Sequence, residues 1–199
     1  MVRKIGIQVE SIFPEIHLTE FEKDKVKSFR RNALLNNEKF IGINVSSGNS
    51  APNLNQSECK KLILLLKENQ NYKVAIMDNE IPKQLHNIDG VIYPNKGNVL
   101  RDSIISLASL DILISNSTGP MHICAALKVS TISLFCPLTA CSPKLWGPLG
   151  NKSEIILPKQ SYCDTQCPIN PKKCDYSKEG GLKAEFILER INSFMQRSN

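Results

Sequence analysis

An α/β fold, Rossmann-like with a mostly parallel sheet and helices on both faces, follows from three features of this 199-residue sequence. From Phe40 onward, short β-rich runs alternate with runs whose apolar residues recur at helical spacing. That alternation implies right-handed βαβ units, and hence parallel strands covered by helices on either side. In the middle, two apolar strand-like runs, "DILISN" and "STISLFCP", are joined by one helix, "PMHICAALK". No internal repeat or low-complexity tract suggests another architecture, and the length suits one domain of about 100–200 residues.

The opening stretch is charged and helical in tendency, with Pro14 and a short strand expected at 4–9. Residues 1–39 are therefore read as an N-terminal extension or the remnant of an interdomain segment, and 40–199 as the domain. "FIGINVS" (40–46) is its first strand and runs into a Ser-Ser-Gly-Asn turn. "NQSECKKLILLLKENQ" (55–70) is a helix with Asn55 or Ser57 as cap and Leu62, Ile63, Leu65 and Leu66 inward. "YKVAIM" (72–77) is the next strand. "IPKQLHN" suits a short helix with Pro82 in its first turn, and "GVIYP" a third strand. "VLRDSIISLASL" (99–110) repeats apolar residues at helical spacing and leads into "DILISN". After "STISLFCP" come a loop holding Trp146, the strand "EIILP", a cysteine-bearing loop and a last helix, "LKAEFILERINSFMQ".

The chain is 41% hydrophobic and 22% charged, which allows a sizeable core in an ordinary soluble protein. No apolar run approaches the ~20 residues that cross a bilayer. The N-terminus also lacks the apolar core of a signal peptide. A cytoplasmic protein is expected, at most peripherally associated with the inner membrane face. The net charge of +6 is spread out, and its densest run, "EKDKVKSFRR", is interrupted by acids. It reads as a solvated helix face. No zinc-finger, RNA-recognition or helix-turn-helix signature supports a nucleic-acid partner.

Seven cysteines are an odd count without a secretory signal, so a disulfide framework is not expected. Cys59, Cys124 and Cys136 fall in apolar patterns and read as small core residues. Cys163, Cys167 and Cys174 stand in a polar loop with gaps of three and six residues. A zinc site there would need Cys141 as fourth ligand, and tighter pairs are commoner. Free thiols and no bound metal or cofactor are expected.

The run "ISNSTGPMH" (114–122) is a strand-to-helix turn, the place where open α/β sheets bind ligands. Pro120 suits a first helical position, with Thr118 or Gly119 as cap. Met121 and His122 would then offer backbone N–H groups, and Gly119 would let a ligand approach the backbone. Unpaired donors at the positive end of a helix dipole make an anion site, most naturally for phosphate. The same residues also make a good helix start with no ligand at all. No Gly-x-Gly-x-x-Gly or Gly-x4-Gly-Lys-Ser/Thr is present, so dinucleotide and P-loop readings fail. Asp78 and Glu80 in "IMDNE" are strand-end acids suited to capping or to a nucleotide contact.

"LISNSTGPMHICAALKVSTISLFCP...WGPLG" resembles the signature of family 9 glycosyltransferases, the ADP-heptose:lipopolysaccharide heptosyltransferases. Thr118, Gly119, Pro120, His122, Ala125, Ala126, Leu127, Leu134, Phe135, Pro137, Thr139, Gly147, Pro148 and Gly150 match its pattern. The resemblance implies a GT-B fold of two Rossmann-like domains, with residues 40–199 as the C-terminal, nucleotide-sugar-binding one. It implies further that Thr118, Gly119 and His122 hold the donor's diphosphate, with Asn116, Ser117 and Met121 beside them. Ser47 and Gly48, in the turn after the first strand, would lie near the donor.

Three departures from that pattern matter. Only about 40 residues precede the match, so the acceptor-binding half and its catalytic base are expected outside this chain. Ser117 stands where the family has an acid. The turn after the first strand carries Ala51-Pro52-Asn53 in place of a Lys or Arg. Two readings follow. One is the donor-binding half of an inverting, metal-independent enzyme that uses an ADP-heptose-like donor and a lipopolysaccharide or related glycan acceptor. The other is a non-catalytic module that binds a nucleotide-sugar or pairs with another subunit.

Overall fold

A computed structural model describes residues 13–35, 37–48 and 51–197. Its sheet has five strands, β1 (Lys39–Asn44), β2 (Tyr72–Ile76), β3 (Ile112–Asn116), β4 (Ser130–Leu134) and β5 (Ser153–Ile156). All neighbours run parallel, in the order β2-β1-β3-β4-β5. The helices are α1 (Glu20–Ala33), α2 (Gln56–Glu68), α3 (Leu100–Ala108), α4 (Gly119–Ala126), α5 (Pro143–Trp146), α6 (Gln160–Thr165) and α7 (Ala184–Gln196). The α/β reading of the sequence holds, and the strand expected at 4–9 lies outside the described residues.

The period-two alternation of each strand sorts its side chains onto two cores. Ile41, Ile43, Val74, Ile76, Ile112 and Ile114 face α2 and α7, where Leu62, Ile63, Leu66, Ile187 and Ile191 close the layer. Phe40, Ala75 and Leu113 face the other way, toward Leu107, Leu110 and Cys124. Gly42 points to this second face because Leu110 presses on it. A Cβ there would come within 2.4 Å of Leu110 Cδ1. Leu65 of α2 is only partly buried, at the margin of the first core.

α1 is docked on the second face. Thr19 and Glu22 form a capping box at its start, and Phe29, Ala33 and Leu34 pack against the core beneath. Arg101 holds Glu22 through two short bonds (2.6 and 2.7 Å), which keeps the Glu22 carboxyl down at about 2. At the other end, Arg30 reaches Asp111 at 3.0 Å and also donates to the Ser109 carbonyl. Asp111 in turn accepts from Phe40 N at 2.7 Å.

Two expected elements come out differently. "GVIYP" contributes a single parallel bridge, Ala75 to Ile92. A turn from Val91 N to the Ile88 carbonyl precedes it, and Pro94, which has no N–H to give, stops the ladder. The expected short helix after Ile81 is a 3-10 turn, Lys83–Leu85, with Pro82 ahead of it as cap.

Asp111 should matter more to stability than its salt bridge suggests. Asp111→Ala strands Phe40 N as well as Arg30, and is expected to cost about 2 kcal/mol. Arg30→Ala removes the half-exposed pair and the bond to the Ser109 carbonyl but leaves Phe40 N its acceptor, and should cost only about 1 kcal/mol. Urea denaturation of the two variants checks the ordering.

Candidate functional site

The strand order places the switch point between β1 and β3. From β1 the chain winds outward to β2, then returns to β3 and proceeds the other way to β5. Loops leaving the carboxyl ends of β1 and β3 therefore diverge and leave a crevice, where doubly wound folds bind ligands. Those two loops are the Ser46–Gly48 turn and the start of α4.

Thr118 is the N-cap of α4, Gly119 its first residue and Pro120 its second, so the helix begins one residue earlier than the sequence suggests. The cap carbonyl accepts the first intrahelical bond, which takes His122 N–H into the ladder. The donors left outside it belong to Thr118, Gly119 and Met121, since Pro120 has none. Thr118 does not cap with its side chain. Its hydroxyl donates instead to Asn44 Oδ1 at 2.9 Å, which leaves the helix start facing the crevice.

A buried polar chain continues from there. Asn44 Nδ2 donates to Asp78 Oδ1 at 2.9 Å. Asp78 also accepts from Val45 N (2.8 Å), Ser46 N (3.0 Å) and Ser46 Oγ (2.8 Å). Burial pushes the Asp78 carboxyl above the usual range, against the four donors that lower it. Asp78 therefore caps no helix; it clasps the turn after β1. Glu80 stays exposed at the margin of the crevice.

Asn116 plays the matching part on the other side. Its side chain is buried and receives Leu54 N at 3.3 Å, while its Nδ2 reaches the Val45 carbonyl and Asn53 Oδ1, each at 3.4 Å. Asn53 Oδ1 accepts from Ser47 N at 2.7 Å, and Ser47 Oγ donates to the Ala51 carbonyl at 2.7 Å. The uncharged Ala51-Pro52-Asn53 run is thus built into the turn.

Two cavities meet at Thr118 and Gly119. The larger, about 560 Å³, runs from Ser47 and Gly48 past Asp78 to Met77, Leu107 and Ile123. The smaller, about 260 Å³, is walled by Ser117, Gly119, His122 and Trp146. Of the residues singled out in the sequence, Ser47, Gly48, Ser117, Thr118, Gly119 and His122 line these cavities. Asn116 and Met121 are buried behind them, and Met121 has only its backbone N–H to offer.

Neither wall carries a Lys or Arg among the described residues. Positive potential comes from the α4 backbone, while His122, whose partial burial lowers its pKa from 6.5, adds a neutral imidazole. Sequence reasoning missed Asn44, Asn53 and Trp146. An asparagine or tryptophan in a loop has no periodicity to announce it.

One thiol, Cys141, lines the smaller cavity. All seven cysteines are free. Burial pushes Cys59 up to about 12 and Cys136 to about 11. Cys174 sits 3.3 Å from Tyr162 Oη, and Cys163 is carried on α6. Among the described residues, no group of three or more His, Cys, Asp or Glu is arranged to hold a metal ion.

A parallel sheet with cavities at its switch point is the architecture of doubly wound nucleotide-binding proteins. The family model of glycosyltransferase family 9 (heptosyltransferase) matches residues 3–173, and the chain belongs to that family. A Haemophilus influenzae protein described as a glycosyltransferase is 30% identical over 150 residues, 68% of this chain and 43% of that one. Lipooligosaccharide heptosyltransferase 2 of Campylobacter jejuni is 25% identical over 148 residues, 72% and 39% of the two chains. The chain thus spans about two fifths of the curated relatives it matches.

Solved structures share the fold. A family 9 glycosyltransferase from Veillonella parvula superposes with a TM-score of 0.72 at 16% identity, over 98% of this chain and 58% of that one. The E. coli heptosyltransferase WaaC with ADP gives 0.64 at 16% identity, over 97% and 53%.

Two outcomes test the helix start. A Cβ on Gly119 would meet nothing within 4 Å, so Gly119→Val should fold normally yet fill the space over the α4 N-terminus. Its affinity for a nucleoside diphosphate should fall about tenfold or more, read by calorimetry beside an unchanged melting curve. His122 is largely neutral at pH 7, and an anion favours its protonated form. Nucleotide affinity should therefore rise as pH falls through the free-protein pKa, which lies below 6.5, and His122→Ala should flatten that profile.

Proposed function

We propose that this domain is the donor-binding half of a heptosyltransferase that transfers a sugar from a nucleoside-diphosphate sugar, ADP-heptose first among them, to lipopolysaccharide core or a related glycan. The observation that carries this reading is the start of α4, with its backbone donors facing a crevice where two cavities meet. The diphosphate lies on the α4 N-terminus, where dipole and N–H groups favour an anion. The nucleoside occupies the larger cavity and the sugar the smaller. Relatives named as lipooligosaccharide heptosyltransferases and a solved relative bound to ADP support the same donor class.

In transfer, an acceptor hydroxyl oxygen forms a bond to the anomeric carbon as the bond from that carbon to the phosphate oxygen breaks. The bonding electrons leave with the diphosphate, and α4 stabilises the charge that develops there. The hydroxyl proton passes to a base on the acceptor-binding half, in the GT-B arrangement of two domains about a cleft. Among the described residues no helix is long and apolar enough to cross a membrane.

A second reading, a nucleotide-sugar-binding module without catalysis, is favoured by Ser117, which puts no carboxylate in the smaller cavity. One assay separates the two. The 199-residue chain alone should release no ADP from ADP-heptose with a truncated lipopolysaccharide core, because the acceptor is not held against the donor. Adding the N-terminal half of a heptosyltransferase in trans should restore turnover. Donor binding without turnover in trans favours the module, and robust turnover by the chain alone means that its own residues, His122 first, supply the base.

A further inference from the structure

Trp146 is the only tryptophan in the chain, and it is 52% exposed. An indole so exposed in a folded domain normally lies against something or is free to turn, and this one is held. Its Nε1 donates to the Ala140 carbonyl at 2.9 Å. Its backbone N donates to the Ser142 carbonyl at 3.0 Å. Gly147 follows in a turn so tight that a Cβ would come within 2.5 Å of the Pro143 carbonyl oxygen. The ring is thus an oriented surface, and it forms one wall of the smaller cavity.

That cavity has two characters. The indole, Ala51, Ala140 and Cys141 give it apolar lining, and Ser117, Thr118 and His122 polar lining. A sugar ring has the same division. Its axial C–H bonds present an apolar face to an aromatic ring, and its hydroxyls point outward for hydrogen bonds. Aromatic side chains suit such ligands because their rigid faces lose little entropy on contact. Size assigns the two parts of the donor, since a nucleoside needs the roomier cavity of about 560 Å³ and a single sugar suits one of about 260 Å³.

We infer that Trp146 is the stacking platform for the transferred sugar, and so a specificity-determining residue of the donor site. The inference rests on the donor-site reading above and adds to it which residue the sugar touches. The single indole then reports its own occupancy. Stacking under a sugar changes the polarity around the ring and hence its emission, whereas a ligand ending at the diphosphate leaves it open.

The experiment titrates the full 199-residue chain with pyrophosphate, ADP and ADP-heptose, following tryptophan emission and heat together. ADP and ADP-heptose should both bind, but only ADP-heptose should shift or quench the emission. Trp146→Ala should weaken ADP-heptose about tenfold while leaving ADP within about twofold. Trp146→Phe, which keeps an aromatic face, should recover most of the loss, and melting curves confirm that the variants fold. The inference is overturned if ADP-heptose binds without an emission change, or if Trp146→Ala leaves its affinity intact. It is overturned equally if ADP alone quenches, since the base would then lie on the indole. If none of the three ligands binds, the donor-site reading itself falls, and this inference with it.

Discussion

The hydrogen-bonded chain from Asp78 through Asn44 to Thr118 ties together the carboxyl ends of β1, β2 and β3. Each link is buried, and each removes a group that would otherwise stay unpaired away from water. Asp78 follows β2 and grips the turn after β1; Asn44 ends β1; Thr118 opens α4. Because the threonine hydroxyl is spent on Asn44, the helix start keeps its own donors for the crevice. A fully satisfied network of this kind is rigid. The loops at the switch point are therefore held in place before any ligand arrives, which lowers the ordering cost of binding.

Around that clasp the rest of the molecule follows from burial. Five parallel strands need helices on both faces, and the alternation of Ile with Phe, Gly, Ala and Leu along β1, β2 and β3 directs each residue to one core. α1 belongs structurally to the same body, fastened by Arg30 and Glu22 at its two ends. The boundary drawn near residue 39 divides the sequence by composition, whereas the packing joins α1 to α3.

Much of this was legible in the residues. Apolar runs such as "ILIS" and the 3.6-residue spacing of Leu62, Ile63 and Leu66 specify their elements through burial alone, so those elements stand where the pattern puts them. The start of α4 was visible because Gly, Pro and Thr act locally. What escaped depends on partners distant in the chain. Family resemblance sets Asn116 beside the donor, whereas its amide's own partners, Leu54, Val45 and Asn53, are announced by nothing in "LISNS". Asp78 looked like a cap because a strand-end acid often is one. "GVIYP" has the composition of a strand, yet a strand also needs room along a neighbour, and Pro94 denies it.

The absence of lysine and arginine from the two cavity walls bears on how this protein meets an anion. Among the described residues the lysines and arginines stand outside both walls. Attraction by a helix terminus fades within a turn or so, unlike the field of a charged cleft, which draws ligands in from a distance. An anion is thus drawn to α4 only over the last few ångströms of its approach. A diphosphate there would be held by dipoles and one histidine, with no fixed counter-charge among the described residues.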